Sequence, residues 1–244
     1  MTDWEIFQAA AQALFSGRNP YSIGQGEAQF FNPPWMLLPI APLTALPPMT
    51  GLILNAFLSV FALLLVSRRM KMTVWEFFLL AVCPMHLQSM IFGNVEWLPL
   101  LGLLFPAPVA MVFFTTKPQA ALGFILLLLY RQWKTGRWRG LAITMAPTVV
   151  LALLSVVLWG VPPVPGMGNP GNRSLFPYSL LLGIPALFFT LRNSDERMAG
   201  FVGPFVSPYV AFHGYLPAVF AFKGKWMVLA VIVSFLPVLL GLVS

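Results

Sequence analysis

Long apolar runs separated by short basic clusters set the pattern of this chain. Residues 48–67 are predominantly apolar and end at Arg68, Arg69 and Lys71. At about 20 residues per crossing, they predict one transmembrane helix. Residues 74–92 predict a second, running back, and 93–97 a short external turn. Residues 140–160, 175–191 and 226–243 predict further spans. The stretch 98–130 must end at a basic cluster that starts with Arg131, so it crosses an odd number of times. Three full crossings need about 60 residues, far more than it holds. It is also interrupted by Pro106, Pro108 and Pro118, each a helix breaker. Short broken helices follow, with non-helical backbone buried in protein or lining a wet cavity. Lys117 sits at one of those breaks. Pro204, Pro208, Gly214 and Pro217 predict a second broken or re-entrant pair over 198–222, which leaves the side of the C-terminus open.

The N-terminal segment follows a different pattern. Trp4, Phe7, Ala11, Leu14 and Phe15 recur at helical spacing across 4–16, which predicts an amphipathic helix ended by Gly17. A polar loop with Gly, Asn and Pro covers 18–34. No basic start leads into an apolar run, so the segment does not read as a signal peptide. The expected fold is an all-α polytopic membrane protein with roughly six to eight full or broken transmembrane helices. It forms one membrane domain over 1–244, with an external segment at 1–34 and a bundle at 35–244.

Composition narrows the class. Of 244 residues, 59% are hydrophobic and 9% charged, against about 25% charged in soluble domains. This excludes a soluble enzyme, a disordered chain and a nucleic-acid-binding domain. The net charge of +7 gathers in four clusters: Arg68 to Lys71, Arg131 to Arg139, Arg192 with Arg197, and Lys223 with Lys225. The positive-inside rule puts these on the cytoplasmic side. The single cysteine, Cys83, forms no intrachain disulfide or Cys-based zinc site and reads as a packed core thiol.

Three basic residues stand outside the clusters: Arg18, Lys117 and Arg173. Of the acids, Asp195 and Glu196 are expected to be solvated in the cytoplasm, and Glu76 to pair at the interface near the Arg68 cluster. Asp3, Glu5, Glu27 and Glu96 fall on the external side. Ionisable groups thus concentrate at one face, where they are costly and mark candidate function. A carboxylate there can take a proton from an attacking hydroxyl. Lys and Arg can hold a phosphate and stabilise it as it leaves. His86 and His213 do not make a metal motif, and read as buried histidines bonded to backbone. The tryptophans, near span ends, read as an interfacial belt.

The opening Asp3-Trp4-x-x-Phe7-x-x-Ala10, followed by Ala13 to Tyr21 (ALFSGRNPY), resembles the first external segment of the polytopic GT-C glycosyltransferases. It is most similar to glycosyltransferase family 87, the polyprenol-phosphate-mannose-dependent mannosyltransferases. Phe31-Asn32-Pro33-Pro34-Trp35, with Leu38-Pro39 and Leu46-Pro47 behind it, resembles that family's entry into its next span. Gly93-Asn94 stands where the family usually carries Gly-Gln. Thr116-Lys117-Pro118-Gln119 resembles its Lys-Pro signature, and Ser207-Pro208-Tyr209 with His213 its late Ser-Pro segment.

The resemblance implies inverting transfer of a hexose, mannose in that family, from a polyprenyl-phosphate donor to a hydroxyl acceptor at the extracytoplasmic face. Asp3 matches the general base. Lys117, Arg18 and His213 match donor-phosphate contacts, while Glu27, Asn94, Glu96, Gln119 and Arg173 are candidates to line the cavity or meet the acceptor. No cofactor and no metal is implied. The expected partners are the lipid-linked sugar donor and membrane lipids, in a bacterial inner (plasma) membrane, with no nucleic acid. In the family a transmembrane helix precedes the aspartate. Here Asp3 lies near the first residue of the sequence, which predicts a frayed end. A start assigned too late, a compact enzyme, or a relative that kept the fold without catalysis each account for that difference. The second function reading is accordingly a non-catalytic membrane subunit or lipid-binding scaffold, with a protein partner supplying the missing first helix. The third is a small transporter.

Overall fold

Thr2 starts the first helix, α1 (Asp3–Phe15), with a capping box. Its hydroxyl accepts from the Glu5 amide at 3.3 Å, and the Glu5 carboxylate accepts from the Thr2 amide at 2.7 Å. Two otherwise unpaired backbone donors are satisfied this way. Asp3, the first helical residue, is therefore held rather than frayed. The computed structural model describes residues 2–24, 29–163, 169 and 171–242, and all regular structure among them is helical. The apolar face of α1 packs on Phe30, Met36, Leu37, Ile40 and Ala62. It is thus a core element and not a helix lying on lipid. Gln8 ties it down, donating to the carbonyls of Thr44 and Leu46 around the end of α2 (Leu37–Thr44).

The next helix, α3 (Pro48–Arg69), matches the expected span. The stretch 74–92 does not cross as one helix. It divides into α4 (Val74–Ala81) and α5 (Pro84–Phe92), bent by 52°. Pro84 has no N–H to continue the ladder, so the first helix ends before it. The 98–130 region is broken as expected, into α6 (Trp97–Leu101), a 3-10 turn over Gly102–Leu104, α7 (Ala107–Phe114) and the start of α8 (Pro118–Trp159).

The 42 residues of α8 are not one rod. A straight helix of that length would reach about 63 Å. Yet Pro118 at its start and Pro162 and Pro163 beyond its end line the same cavity. Arg137, at φ 46° and ψ −135°, breaks the helical path. The run folds there into two arms, 118–136 and 138–159, each about the 20 residues that cross a bilayer. The cytoplasmic loop expected over 131–139 is thus reduced to a turn.

The chain continues through α9 (Leu180–Asn193), α10 (Glu196–Val206), a 3-10 turn over Phe212–Tyr215, α11 (Leu216–Val219), α12 (Lys225–Ser234) and α13 (Leu236–Leu239). The 198–222 region is broken as its prolines suggest. So is the last expected span, which yields at Phe235 before Pro237. Helix α10 packs closely on the first arm of α8. A Cβ built on Gly123 would lie 1.9 Å from the Ala199 carbonyl oxygen. Small residues permit this approach, as is usual between membrane helices.

Helices α3 and α8 are long and apolar enough to cross a membrane, and the α4–α5 pair makes a third candidate. Phe57, Phe61, Val157, Leu158, Leu181 and Phe188 stand exposed on helix surfaces, an apolar coat that suits lipid and not water. The chain is a helical membrane protein.

The basic clusters meet at one end of the bundle. Glu196 bridges Arg69 at 3.2 Å and Arg131 at 2.6 Å. Asp195 caps α10 by accepting from the amides of Arg197 and Met198. Both acids are engaged, where the sequence suggested solvated ones. Glu76 pairs with Arg197 at 3.3 Å, not with the Arg68 cluster, because α10 presents its first turn to the start of α4. The belt reading suits exposed Trp75 and Trp226 but fails at Trp4 and Trp97, which are buried in the core around α1. Cys83 is buried, and His86 is bonded to the Ala81 carbonyl and the Ser59 hydroxyl.

Candidate functional site: a charged cluster built on Asn94

The turn between α5 and α6 is held by backbone chemistry. Gly93 takes φ +73°, in the left-handed region that closes a helix and favours glycine. The Asn94 amide then donates to the Ser89 carbonyl at 2.7 Å. The Asn94 carbonyl accepts from the Asn55 side chain at 3.2 Å, and Asn55 in turn accepts from the Trp97 indole at 2.9 Å. The Asn94 backbone is thereby fixed from three helices.

Its side chain joins four others. The amide nitrogen donates to Asp3 Oδ2 at 2.6 Å and lies 2.8 Å from His213 Nε2. The amide oxygen accepts from the Val95 backbone at 2.8 Å and from the Lys117 ammonium. Lys117 also donates to Glu96 Oε1 at 2.7 Å, and His213 Nε2 lies 3.3 Å from the same oxygen. Asp3 comes from the first turn of α1, Lys117 from the break before α8, and His213 from the 3-10 turn after α10. Each lies where a helix begins or is interrupted, which explains why a bundle with so few charges can gather them.

The orientation of the Asn94 amide is set by its neighbours. Lysine and a backbone N–H can only donate, so the oxygen must face Lys117 and Val95. The nitrogen therefore faces Asp3 and His213, and His213 Nε2 accepts, which makes the imidazole neutral. Glu96 and His213 lie outside the spanning helices. Burial pushes the Glu96 carboxyl up, but the Lys117 ammonium beside it more than offsets this and holds it below its ordinary value. Burial and the Lys117 charge hold His213 below its ordinary value, against the pull of Glu96 and Asp3. Glu96 Oε2 is buried without a hydrogen-bond partner among the described residues, a costly arrangement that Lys117 offsets only from the other oxygen.

The cluster opens on a cavity of about 610 Å³. Asp3, Asn94, Lys117, Gln119 and His213 line it, beside the apolar Ile6, Phe7 and Leu122. Glu96 lies behind that wall, 3% exposed. Arg173 lines a smaller cavity of about 180 Å³, which shares Asp3 and His213 with the larger one. Arg18 is exposed and lines neither cavity, so the structure does not bring it to the phosphate contacts suggested for it. Glu27 lies outside the described residues.

Sequence reasoning missed Asn55, whose only signal is a lone amide inside an apolar span. It also left Ser207 and Tyr209 without a role, although both line the cavity. Fold and site together define a helical membrane protein with a buried charged cluster facing one cavity. No family model, curated protein or solved structure matches the chain.

Proposed function

We propose that this chain is a GT-C-like inverting glycosyltransferase of six to eight full or broken spans. It moves a hexose, mannose by its resemblance to family 87, from a polyprenyl-phosphate donor to a hydroxyl at the extracytoplasmic face. One observation carries the reading. A carboxylate and an ammonium, Asp3 and Lys117, meet on a single side chain, Asn94, at the wall of one cavity.

The chemistry asks for those two groups. Asp3 accepts the proton of the acceptor hydroxyl, whose oxygen attacks the anomeric carbon from the face opposite the phosphate. The bond from that carbon to the phosphate oxygen breaks, and the electron pair leaves with the phosphate. Lys117 supports this developing charge. Asn94 and Glu96 engage two of its three donors, so the third can meet the phosphate. The first turn of α8, at Pro118 and Gln119, adds the positive end of a helix dipole on the same wall. Ile6, Phe7 and Leu122 offer apolar surface for an isoprenoid.

The test is sugar transfer by the purified chain in lipid nanodiscs, with labelled polyprenyl-phosphate mannose and a panel of hydroxyl acceptors. Transfer by the wild type and its loss in Asp3→Asn, with thermal unfolding unchanged, is the expected result. Equal transfer by both overturns the assignment of the base.

A further inference from the structure

Within the hydrogen-bonded cluster the charge is unbalanced, and the next cation, Arg173, lines the smaller cavity beside it. Two carboxylates, Asp3 and Glu96, face one ammonium, Lys117. The hydrogen bonds of Asn94 keep His213 neutral, with its Nε2 as an acceptor. A phosphodiester entering beside Lys117 would add a further negative charge next to the buried Lys117–Glu96 pair, where like charges repel strongly. Adding one proton to the cluster would offset the charge that enters.

His213 is placed to take it. It lines both cavities, and its Nε2 already lies 3.3 Å from Glu96 Oε1. Asp3 on α1, Glu96 before α6, Lys117 ahead of α8 and Arg173 beside the small cavity face it. His86, on the packed helix α5, is bonded at both ring nitrogens. The charges of α10, Glu196 and Arg197, stand at its far end, about 15 Å along the helix, and α11 carries none.

We infer that the site binds its anionic lipid-phosphate ligand together with one proton, taken from water by Nε2 of His213. The inference rests on the glycosyltransferase reading for the identity of that ligand. As the anion arrives, the N–H bond forms at Nε2. The Asn94 amide gives up its bond to Nε2 and keeps the one to Asp3, while the imidazolium donates to Glu96 Oε1. The site gains one positive charge for the one negative charge that enters.

The probe is farnesyl methyl phosphate, a diester that keeps a single charge across the range used. Its binding to the full chain in nanodiscs is followed by titration calorimetry from pH 6 to 8, in two buffers of different ionisation enthalpy. The expected result is net uptake approaching one proton above neutral pH. Affinity then weakens by up to about tenfold per pH unit as the pH rises. His213→Gln should bind with no such slope. Because the proton count is read on the wild type, it stands even if that variant fails to fold. Binding without proton uptake overturns the inference and leaves the glycosyltransferase reading intact. A slope retained in His213→Gln assigns the proton to another group and overturns it as well. No binding of the diester at any pH overturns the lipid-phosphate reading itself.

Discussion

Asn94 Nδ2 lies 2.6 Å from Asp3 Oδ2, across 91 residues of sequence. That bond leaves the other Asp3 oxygen free for the proposed base role and ties the carboxylate to the side chain that also holds Lys117. Removing it in Asn94→Ala should lower transfer by about 100-fold, since a misplacement near 1 Å costs that much. Asn94→Asp should be worse, because it sets an oxygen against Asp3 where a donor stood and raises the pKa of one member of the pair. Initial rates with labelled donor, alongside thermal unfolding of each variant, separate lost catalysis from lost fold. A wild-type rate in Asn94→Ala would show that Asp3 is held by something else.

The Lys117–Glu96 pair is 2.7 Å long, and both side chains are about 5% exposed or less. Pairs of this kind add little over an apolar replacement, but removing one partner strands the other charge. Lys117→Met and Glu96→Gln should each destabilise the chain by about 3–5 kcal/mol. The double variant should recover much of that loss. Thermal unfolding in one detergent gives all four corners of the cycle. Additive losses would mean that the two charges act independently.

Much of this was legible in the sequence because it rests on prolines and charge clusters. The breaks at Pro106 and Pro118, the basic end around Arg131, and the placing of Lys117 at a helix interruption follow from local rules. Asp3 and Lys117 stand out in the sequence as candidates, and the structure brings both to Asn94 at one cavity wall. Other features depend on contacts between distant segments. Arg197 takes Glu76 in place of the Arg68 cluster because of how α10 docks. Trp4 has the composition of a belt residue and becomes core because Phe30, Met36 and Ile40 close over it. The role of Asn94 as the hub was hidden for the same reason. An asparagine after a glycine reads as an ordinary turn until Asp3, Lys117 and His213 converge on its side chain.

The cluster should also make stability depend on pH. His213 resists protonation in the fold, while the unfolded chain takes a proton near the ordinary value of 6.5. The unfolded state then binds more protons, so stability is present above about 6.5 and falls as the pH drops through it. Glu96, held below its ordinary 4.5, contributes stability above that value that is lost as the pH falls further. Unfolding temperatures measured from pH 8 to 4 should therefore decline in two stages, and His213→Gln should remove part of the upper one. A profile flat from pH 8 to 5 would contradict the neutral, buried state of His213.

Gly93 gives the most local test of how α1 is anchored to the site. A Cβ there would lie 2.4 Å from the Trp4 Cβ and 2.8 Å from Leu52 Cδ1, at a φ of +73° that strains any side chain. The Trp4 side chain on α1 thus packs closely on the turn that carries Asn94, so a Cβ there pushes on the elements that hold Asp3 and Asn94. Gly93→Ala should cost about 1–3 kcal/mol from strain and overpacking together. Because the displaced element carries Asp3, the proposed base, transfer should fall further than the loss of folded protein explains. Gly17→Ala is the matched control. It has a similar φ of +71° with open space around the Cβ position, so it should carry the conformational strain alone and keep its rate. Equal losses of rate in the two variants would mean that the contact with Trp4 does not transmit to Asp3.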